Sequence, residues 1–337
     1  MPETNLLVLL AKLEPALRKA FLEALALVKS DAQIALLTEM LNRDDINGAM
    51  NALSFDPSVF RVFEKAIAET YAAGGDAGIG SLPRLSDPSG GRLVIRFDVR
   101  NLRAERWLRD HSATMVTRIV NEQRDVIRTA LNAGIERGQN PRKTALDIAG
   151  RVNRITKRRE GGMVGLSAPQ AEYVVTARNE LLSGDPKQLR NYLTRKRRDK
   201  RFDSVIRKAI KDGKPVSVDT ATRAVGRYSD QLLRLRAETI ARTETLASLH
   251  AGQDEAFRQA IDKGAVQENQ VRRIWRTAGK DGRLRDSHYR MKDDSVGLNE
   301  RFSNGLLYPG DTSGPSSEII NCRCHLDIRI DYLANVA

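Results

Sequence analysis

The sequence predicts a mainly α-helical N-terminal and middle region, followed by a small α+β domain at the C-terminal end. Apolar residues recur at helical spacing through most of the 337 residues, whereas period-two alternation is confined to the final part of the chain. Aromatic residues make up only 5% of the composition, which favours packed helices over a large sandwich or barrel. The length allows two or more domains with cores of their own.

Changes in composition divide the chain into four segments. Residues 1–72 are predicted to form a helical region, and residues 73–92 a linker rich in Gly, Ser and Pro. Residues 93–231 are predicted to form a basic α-helical region. The α+β domain is expected over residues 232–330.

Local signals mark the beginnings of several helices. Ser30 and Gln33 have the spacing of a capping box, and a proline directly follows Asn140. Pro15 is expected to begin a helix that runs to about Lys29. These signals predict short amphipathic helices in the first half of the chain.

Charge is distributed unevenly along the sequence. Residues 1–91 carry 8 Lys/Arg and 12 Asp/Glu, a balance of −4, whereas residues 187–242 carry 17 and 6, a balance of +11. A basic middle region behind an acidic beginning indicates two different partners, one of them a polyanion.

The densest basic run reads RKRRDKR. One interpretation is a solvated helix face, and the other is phosphate contact, since phosphate neutralisation dominates non-specific affinity for nucleic acids. Tyr192 and Phe202 flank the run and are candidates for stacking on bases. No helix-turn-helix, zinc-finger or RNP pattern is present, so binding to double-stranded DNA is expected to be sequence-independent. The candidate DNA-binding residues are Arg195, Lys196, Arg197, Arg198, Lys200, Arg201, Lys157, Arg158 and Arg159.

Cysteine usage and hydropathy exclude other classes of protein. The two cysteines are separated by one residue and offer no disulfide framework, so reduced thiols are expected. The Met-Pro-Glu-Thr beginning lacks the positive region of a secretory signal. The early apolar run from Leu6 to Ala11 is too short to span a bilayer. We therefore expect a protein made in the cytosol, with no membrane partner.

The helix predicted from residue 232 to residue 261 places a charge among apolar residues. On a helical wheel, Arg242 lies at the centre of a leucine-rich stripe, and the opposite side carries polar and charged residues. A buried guanidinium needs a carboxylate or carbonyl oxygens as partners. Later segments offer Asp286 and Asp311, which predicts an ion pair with one of them.

The segment that begins at Cys322 alternates with a period of two. Cys322 and Cys324 share a face with Leu326 and Ile328, while His325 lies on the other face. This alternation predicts a half-buried strand with both thiols directed into the core.

Two interpretations of the cysteines remain open. Cys322 and Cys324 could share one zinc ion, with His288 as a third ligand and Asp286 as a fourth. Alternatively, both cysteines are small buried residues, since structural zinc sites usually leave more residues between their cysteines. The second interpretation is the expectation here, so no cofactor is predicted and zinc is the alternative.

The tripeptide Asp286-Ser287-His288 is a further chemical candidate. Asp286 is expected to cap a short helix. His288 has no nucleophile paired with it in the sequence, and the adjacency of Ser287 is not the geometry of a triad. No catalytic residue is therefore assigned.

Short motifs in the C-terminal third resemble the Mu F-like head-morphogenesis family, the minor head proteins of tailed bacteriophages. Each motif is short, but their order and spacing between residues 236 and 328 are fairly specific. The motif residues are Arg242, Thr243, Glu244, Trp275, Asp286, His288, Asp311, Asn321, Cys322 and Cys324.

The resemblance implies a minor capsid protein that lies inside the virion near the portal, and in the host cytoplasm during assembly. Its implied partners are the portal protein, capsid or scaffolding proteins, and double-stranded DNA. A competing hypothesis is a phage-associated toxin or nuclease-type enzyme centred on Asp286, His288, Cys322 and Cys324. A third is a DNA-binding accessory protein without a capsid role.

Overall fold

A computed structural model describes most of the chain and confirms the predicted fold class. The helices are α1 (Glu3–Val28), α2 (Asp31–Asn42), α3 (Ile46–Ala52), α4 (Arg61–Gly80), α5 (Leu102–Glu136), α6 (Pro141–Ala149), α7 (Ala168–Leu182), α8 (Pro186–Thr194), α9 (Asp203–Asp212), α10 (Val218–Asp262), α11 (Asp286–Arg290) and α12 (Ser316–Ile319). Short 3-10 helices cover Pro57–Phe60, Lys200–Phe202 and Glu268–Gln270. The strands are β1 (Leu85–Ser86), β2 (Arg92–Leu93), β3 (Arg151–Val152), β4 (Arg159–Glu160), β5 (Val271–Arg276), β6 (Ser295–Gly297) and β7 (His325–Ile330). The residues described are 3–53, 56–83, 85–86, 92–277, 284–331 and 334.

The chain forms two compact units, each assembled from separate segments. Unit 1 comprises Met1–Phe21, Arg61–Thr114 and Glu238–Ala337, and unit 2 comprises Leu22–Phe60 and Met115–Ala237. This division differs from the consecutive segments predicted from composition. In particular, the α+β part contains two segments from the first third of the chain. None of the helices described is long and apolar enough to cross a bilayer.

Unit 1 contains a three-stranded antiparallel sheet in the order β6-β5-β7. Trp275 of β5 is paired with Leu326 of β7, and Arg273 is paired with Ile328. Burial alternates along β5, so that Val271, Arg273 and Trp275 are buried and share one face. The main core of the unit joins this sheet to α4, α5 and α10, and it consists of Tyr71, Ala104, Ala251, Phe257, Ala260, Val266, Val271, Leu298, Tyr308, Leu326 and Ile328.

The glycine-rich stretch that begins at residue 73 is helical rather than a linker. Helix α4 continues as far as Gly80, so the prediction of a linker over 73–92 is wrong for its first eight residues. The rest of that range includes residues 84 and 87–91, which lie outside the described part of the chain.

Close packing explains the glycines of this stretch. A Cβ atom on Gly74 would lie 2.1 Å from the carbonyl oxygen of Leu249 in α10. A Cβ atom on Gly252 of α10 would lie 2.0 Å from the carbonyl oxygen of Tyr71 in α4. Glycine at these positions therefore permits an approach of the two backbones that any side chain would block.

The C-terminal half of α10 is buried on all sides, contrary to the predicted amphipathic pattern. From Thr243 to Ala260, every residue except Arg258 is buried. The polar side is covered by unit 1 segments that precede the helix by more than a hundred residues. Arg103 Nε donates to Glu255 at 3.1 Å, and Gln259 Nε2 donates to the carbonyl of Asp98 at 2.9 Å.

The first helix also begins earlier than predicted. Helix α1 begins at Glu3 and contains Pro15 in its interior, although Pro15 was expected at its beginning. Leu6, in the part of α1 before the proline, is buried against Leu249. This apolar contact stabilises the turns before Pro15. Its contribution outweighs the loss of the one backbone hydrogen bond that a proline cannot donate.

Unit 2 is helical, with one short hairpin formed by β3 and β4. Helix α2 contacts α3 and α6, and α8 contacts α7 and α9. Ser30 and Ser167 form the capping boxes that begin α2 and α7, as the sequence predicts for Ser30. Asp147, which is buried, accepts hydrogen bonds from both Arg178 and Arg151.

Candidate functional site

The segment that carries the two cysteines is held in place by α10. Asn321 has a positive φ of 57°, a conformation that asparagine tolerates better than most residues. Its backbone N–H donates to Thr243 Oγ1 at 3.1 Å. Cys322 N–H donates to the carbonyl of Ile319 at 3.1 Å. Thr243 and Asn321, two residues of the family motif, therefore set the position from which both cysteines enter the core.

Cys322, Cys324 and His288 converge inside unit 1. His288 Nδ1 lies 3.5 Å from Cys322 Sγ and 3.4 Å from Cys324 Sγ. The three potential ligand atoms all lie within 4.8 Å of one another. Cys322 is 2% exposed, Cys324 is 0% exposed and His288 is 1% exposed. The alternation predicted for the cysteines is confirmed, although the strand itself begins only at His325.

Glu318 completes the polar part of this cluster, and no pattern in the sequence predicted it. Its Oε2 lies 2.8 Å from His288 Nε2. Ser287 Oγ and Asn304 Nδ2 both donate to the same carboxylate at 3.3 Å. Burial opposes ionisation, but the hydrogen bonds from Asn304 and His288 outweigh it and lower the pKa of Glu318. A negative carboxylate therefore faces the outer nitrogen of the imidazole.

Asp286 is neither the candidate zinc ligand nor the helix cap that the sequence predicts. It is exposed, and it does not belong to the group formed by the cysteines and His288. The N-cap position of α11 is occupied by Arg285, so Asp286 is the first residue of the helix rather than its cap. Helix α11 instead turns His288, two residues later, toward the core.

Aromatic and apolar side chains surround the cluster. The ring of Trp275 meets His288 edge-on at a centroid distance of 5.0 Å and meets Phe302 at 5.2 Å. Met291 and Leu246 belong to the same core. The polar atoms of the cluster are therefore enclosed by a low-dielectric wall, in which uncompensated charge is costly.

The order thiol, imidazole, carboxylate has the form of a nucleophilic relay, but the surroundings do not suit one. A reactive cysteine is accessible and has a lowered pKa. Here both cysteines are buried, and a hydrogen bond from Cys324 together with burial raises the pKa of Cys322 well above its ordinary value. This environment stabilises neutral thiols or metal-bound sulfur rather than a free thiolate nucleophile.

The ion pair predicted for Arg242 has a different partner. Arg242 Nε lies 2.9 Å from Glu14 Oε1 of α1, not near Asp286 or Asp311, and the two side chains are 35% and 26% exposed. Asp311 accepts hydrogen bonds from the backbone of Leu307 at 2.8 Å and so shapes its own loop. The predicted partners were wrong because α1 covers this part of α10, which the helical wheel cannot reveal.

The motif residue Glu244, and His250, a buried residue of α10 outside the motif, hold loops and helices of unit 1 in place. Glu244 Oε2 lies 2.8 Å from His111 Nε2, and the ring of His111 stacks on Trp107. His250 Nδ1 donates to the carbonyl of Pro309 at 2.7 Å, while its Nε2 accepts from Leu326 N–H. Burial lowers the pKa of His250 to about 3, which is consistent with this neutral tautomer.

A fully buried arginine lies elsewhere, on β5. Arg273 is 0% exposed, and it donates to the carbonyls of Gly297 and Glu300. Its Nη1 lies 3.4 Å from Asp254 Oδ1. Alternation along the VRRIW segment places Arg273 on the same face as Trp275, so this signal could have revealed it.

The basic run is not a solvated helix face, because it lies between α8 and α9 and is partly tied to carboxylates. Arg195 Nε donates to Glu180 at 2.8 Å, and Arg198 makes two 2.9 Å hydrogen bonds to Asp203. Tyr192 is completely buried, so its predicted stacking on bases is wrong.

The remaining basic residues of the run lie on the surface of unit 2. Lys196, Arg197, Lys200 and Arg201 are exposed and line a concavity of about 390 Å³. Arg201 is paired with Asp199 at 2.6 Å, yet it also lines a second concavity of about 540 Å³ beside the β3-β4 hairpin.

The hairpin carries the other predicted DNA-binding residues. Lys157 and Arg158 are exposed in the hairpin loop, whereas Arg159 donates to the carbonyl of Gly150 at 3.0 Å. Ile155 in this loop is 91% exposed. We refer to Lys196, Arg197, Lys200, Arg201, Lys157 and Arg158 as the basic surface.

Comparison with known proteins gives one match. Residues 200–327 match the model of a family described as Phage Mu protein F like protein. This range includes every motif residue named above and confirms the resemblance predicted from the motifs. No curated protein matches the chain. No solved structure matches it.

Proposed function

Because residues 200–327 are Mu F-like, we propose that this protein is a minor head protein of a tailed phage or prophage and takes part in head morphogenesis. The family match is the observation that carries this proposal. The geometry of the motif supports it, since Thr243, Glu244, Trp275 and the cysteines hold unit 1 together rather than line an open active site. A protein whose signature residues are structural is suited to assembly rather than to catalysis.

The proposal places the protein in the virion, in the capsid interior near the portal, and in the host cytoplasm before assembly. Its proposed partners are the portal protein and capsid or scaffolding proteins. Deleting its coding region from the phage or prophage should lower the yield of filled heads, and a wild-type copy supplied in trans should restore it. Normal yields after deletion, with the protein missing from wild-type particles, would refute the assembly role.

We further propose that the basic surface contacts packaged DNA without sequence preference. Four of its residues are exposed around one concavity, within a region whose charge balance is +11. Arg195 and Arg198 are excluded from this surface because they are only 14% exposed and are paired with Glu180 and Asp203, whereas Arg201 is 78% exposed although it is paired with Asp199. Exposed cations that are free to meet phosphates release counterions, which makes affinity steeply salt-dependent.

Charge reversal tests the DNA contact. Replacing Lys196, Arg197 and Lys200 together by Glu should weaken binding to duplex DNA at least about tenfold, and should reduce the slope of log affinity against log salt by about 0.9 per lost phosphate contact. The measurement is fluorescence anisotropy on several unrelated duplexes over a range of salt concentrations.

A matched variant controls for net charge alone. Lys12, Arg61 and Lys65 are exposed in unit 1, and their replacement by Glu makes the same change in net charge. This variant should bind almost as the wild type does. Equal loss of DNA affinity in both variants, or an affinity that does not change with salt concentration, would refute DNA contact by the basic surface. The proposed assembly role would not be affected.

The competing enzyme hypothesis can be tested directly. A nuclease or toxin centred on His288 and the cysteines predicts DNA cleavage that a chelator abolishes and that His288→Gln eliminates. The burial of both thiols argues against such an activity. Chelator-sensitive cleavage lost in this variant would favour the enzyme over the minor head protein.

A further inference from the structure

Cys322 Sγ, Cys324 Sγ and His288 Nδ1 face a common point in the core of unit 1. We propose that these three atoms bind a single Zn²⁺ ion. The proposal concerns this chain's own side chains and is independent of the assembly role.

The spacing of the three atoms fits a tetrahedral zinc ion. With Zn–S near 2.3 Å and Zn–N near 2.0–2.1 Å, a sulfur and a nitrogen bound to the same tetrahedral ion lie about 3.5 Å apart. The two observed separations from His288 Nδ1 are 3.5 Å and 3.4 Å. The two sulfur–nitrogen separations therefore match the edges of a coordination tetrahedron, and the two sulfurs lie within 4.8 Å of each other.

Glu318 provides a second and independent indication. A metal-bound histidine almost always donates its other N–H to a carboxylate or carbonyl, which fixes the tautomer and orients the ring. His288 Nε2 lies 2.8 Å from Glu318 Oε2, and this carboxylate is itself held by Ser287 and Asn304. The arrangement directs the unprotonated Nδ1, with its lone pair, at the two sulfurs.

Two buried thiols without a metal ion make weaker contacts in this arrangement. Nδ1 has one lone pair and accepts one S–H hydrogen bond, and the second thiol bonds to the neighbouring sulfur, which is a weak acceptor. A zinc ion satisfies all three atoms at once, and two thiolates cancel its double charge inside an apolar wall. Binding releases the two thiol protons as zinc–sulfur bonds form, so metal uptake and proton release are coupled.

The donor set selects the class of metal. Thiolate and imidazole favour zinc and other soft or borderline ions, whereas magnesium and calcium require oxygen ligands. Among the described residues, the group contains three potential ligands. The ion would link α11 to the segment before β7, more than thirty residues away in the sequence.

Metal analysis of the full-length protein tests the proposal. The protein is purified under reducing conditions, incubated with zinc, and desalted into buffer that contains a weak competing chelator. We expect about one zinc per chain. Co²⁺ used instead should give sulfur-to-cobalt charge-transfer absorption and the intense visible bands of a tetrahedral complex, with release of about two protons per ion measured by calorimetry in two buffers.

Variants identify the ligands. Cys322→Ser, Cys324→Ser and His288→Gln should each abolish retention of zinc through desalting. Glu318→Gln should weaken affinity about 10- to 100-fold while leaving the three ligands in place. The matched control is His325→Gln, which changes a buried histidine next to Cys324 that lies outside the group and should retain full zinc occupancy.

The wild-type measurements decide the proposal even where a variant fails to fold. Absence of zinc together with a cobalt spectrum that lacks charge-transfer absorption would overturn it. So would equal zinc retention in His288→Gln and His325→Gln. An intact mass two hydrogens lighter in protein handled under reducing conditions would show a disulfide instead, and would equally overturn it.

Discussion

A buried guanidinium is present in this protein, but it belongs to Arg273 rather than to Arg242. The helical wheel placed Arg242 among leucines, yet it lies at an edge where Glu14 reaches it from α1. Arg273 is enclosed on β5 and satisfied by two carbonyls and Asp254. Burial lowers the pKa of Arg273, because desolvation disfavours the charged form, and the nearby carboxylate of Asp254 opposes this shift.

Substitution should separate the two arginines clearly. Arg273→Ala should destabilise unit 1 by about 3 kcal/mol, because it empties the space of a fully buried side chain and removes one donor each from Asp254, Gly297 and Glu300. Asp254 keeps its ion pair with Arg258. Arg242→Ala should cost at most about 1 kcal/mol, since its ion pair is partly exposed and screened by water. Denaturant unfolding followed by tryptophan fluorescence reports on unit 1, because both tryptophans belong to it.

Two further variants give this comparison its controls. Arg272→Ala removes an exposed arginine from the same strand and should change stability by less than about 0.5 kcal/mol. Arg273→Lys should recover only part of the loss, because an ammonium group lacks the planar fork that reaches three acceptors. Equal effects of Arg242→Ala and Arg273→Ala would contradict the assignment.

Single residues of the candidate site were predictable to different degrees. The period-two alternation was enough to place both cysteines in the core, and His288 was the partner chosen for them from the sequence. Glu318 could not be found in this way, because it lies on a helix of four residues with no periodic pattern. Asp286 failed for a related reason, since the direction of a side chain on such a short helix depends on the loops that hold it.

At the scale of elements, the glycines between residues 73 and 80 lie in a packed helix, although composition predicted a linker. The stretch at the end of α4 resembles a linker by composition, yet Gly74 and Gly78 face α10. Composition records how many glycines are present, whereas their role depends on what the missing Cβ would meet. That information exists only in the tertiary structure.

The packing of α4 against α10 can be tested by adding single methyl groups. Gly74→Ala should destabilise unit 1 by about 2–3 kcal/mol, because its Cβ would lie 2.1 Å from the backbone carbonyl of Leu249 and forces the helices apart. Gly80→Ala meets nothing within 4 Å and should be neutral or slightly stabilising, as expected for a glycine replaced in a helix. Thermal unfolding monitored by tryptophan fluorescence provides the comparison, and similar melting temperatures for the two variants would rule out close contact.

At the scale of the whole molecule, sequence reasoning gave the fold class but not the grouping of segments. Periodicity is local, so a short window was enough to predict the strand that becomes β7. The assembly of unit 1 from Met1–Phe21, Arg61–Thr114 and Glu238–Ala337 rests on contacts between residues more than a hundred positions apart. No pattern within one window carries that information.

The grouping predicts how the C-terminal domain behaves when it is excised. Residues 232–330 expressed alone should not fold cooperatively, because Tyr71 and Ala104 of the core are missing and Glu255 loses Arg103. Co-expression with residues 61–114 should recover a soluble complex with near-ultraviolet circular dichroism. Cooperative melting of 232–330 by itself would show that the earlier segments are dispensable.

Helix α10 runs without interruption from Val218 to Asp262, and the boundary between the units falls within it, at Ala237 and Glu238. The Mu F-like match likewise extends across that boundary. A recombination event that exchanged only the matched region would therefore bring in an α10 whose buried polar side no longer met the host chain's α4 and α5. Genes of this kind should be inherited as a single block, and viable chimaeras should have crossovers outside the range from the beginning of α1 to the end of β7, because unit 1 also contains Met1–Phe21.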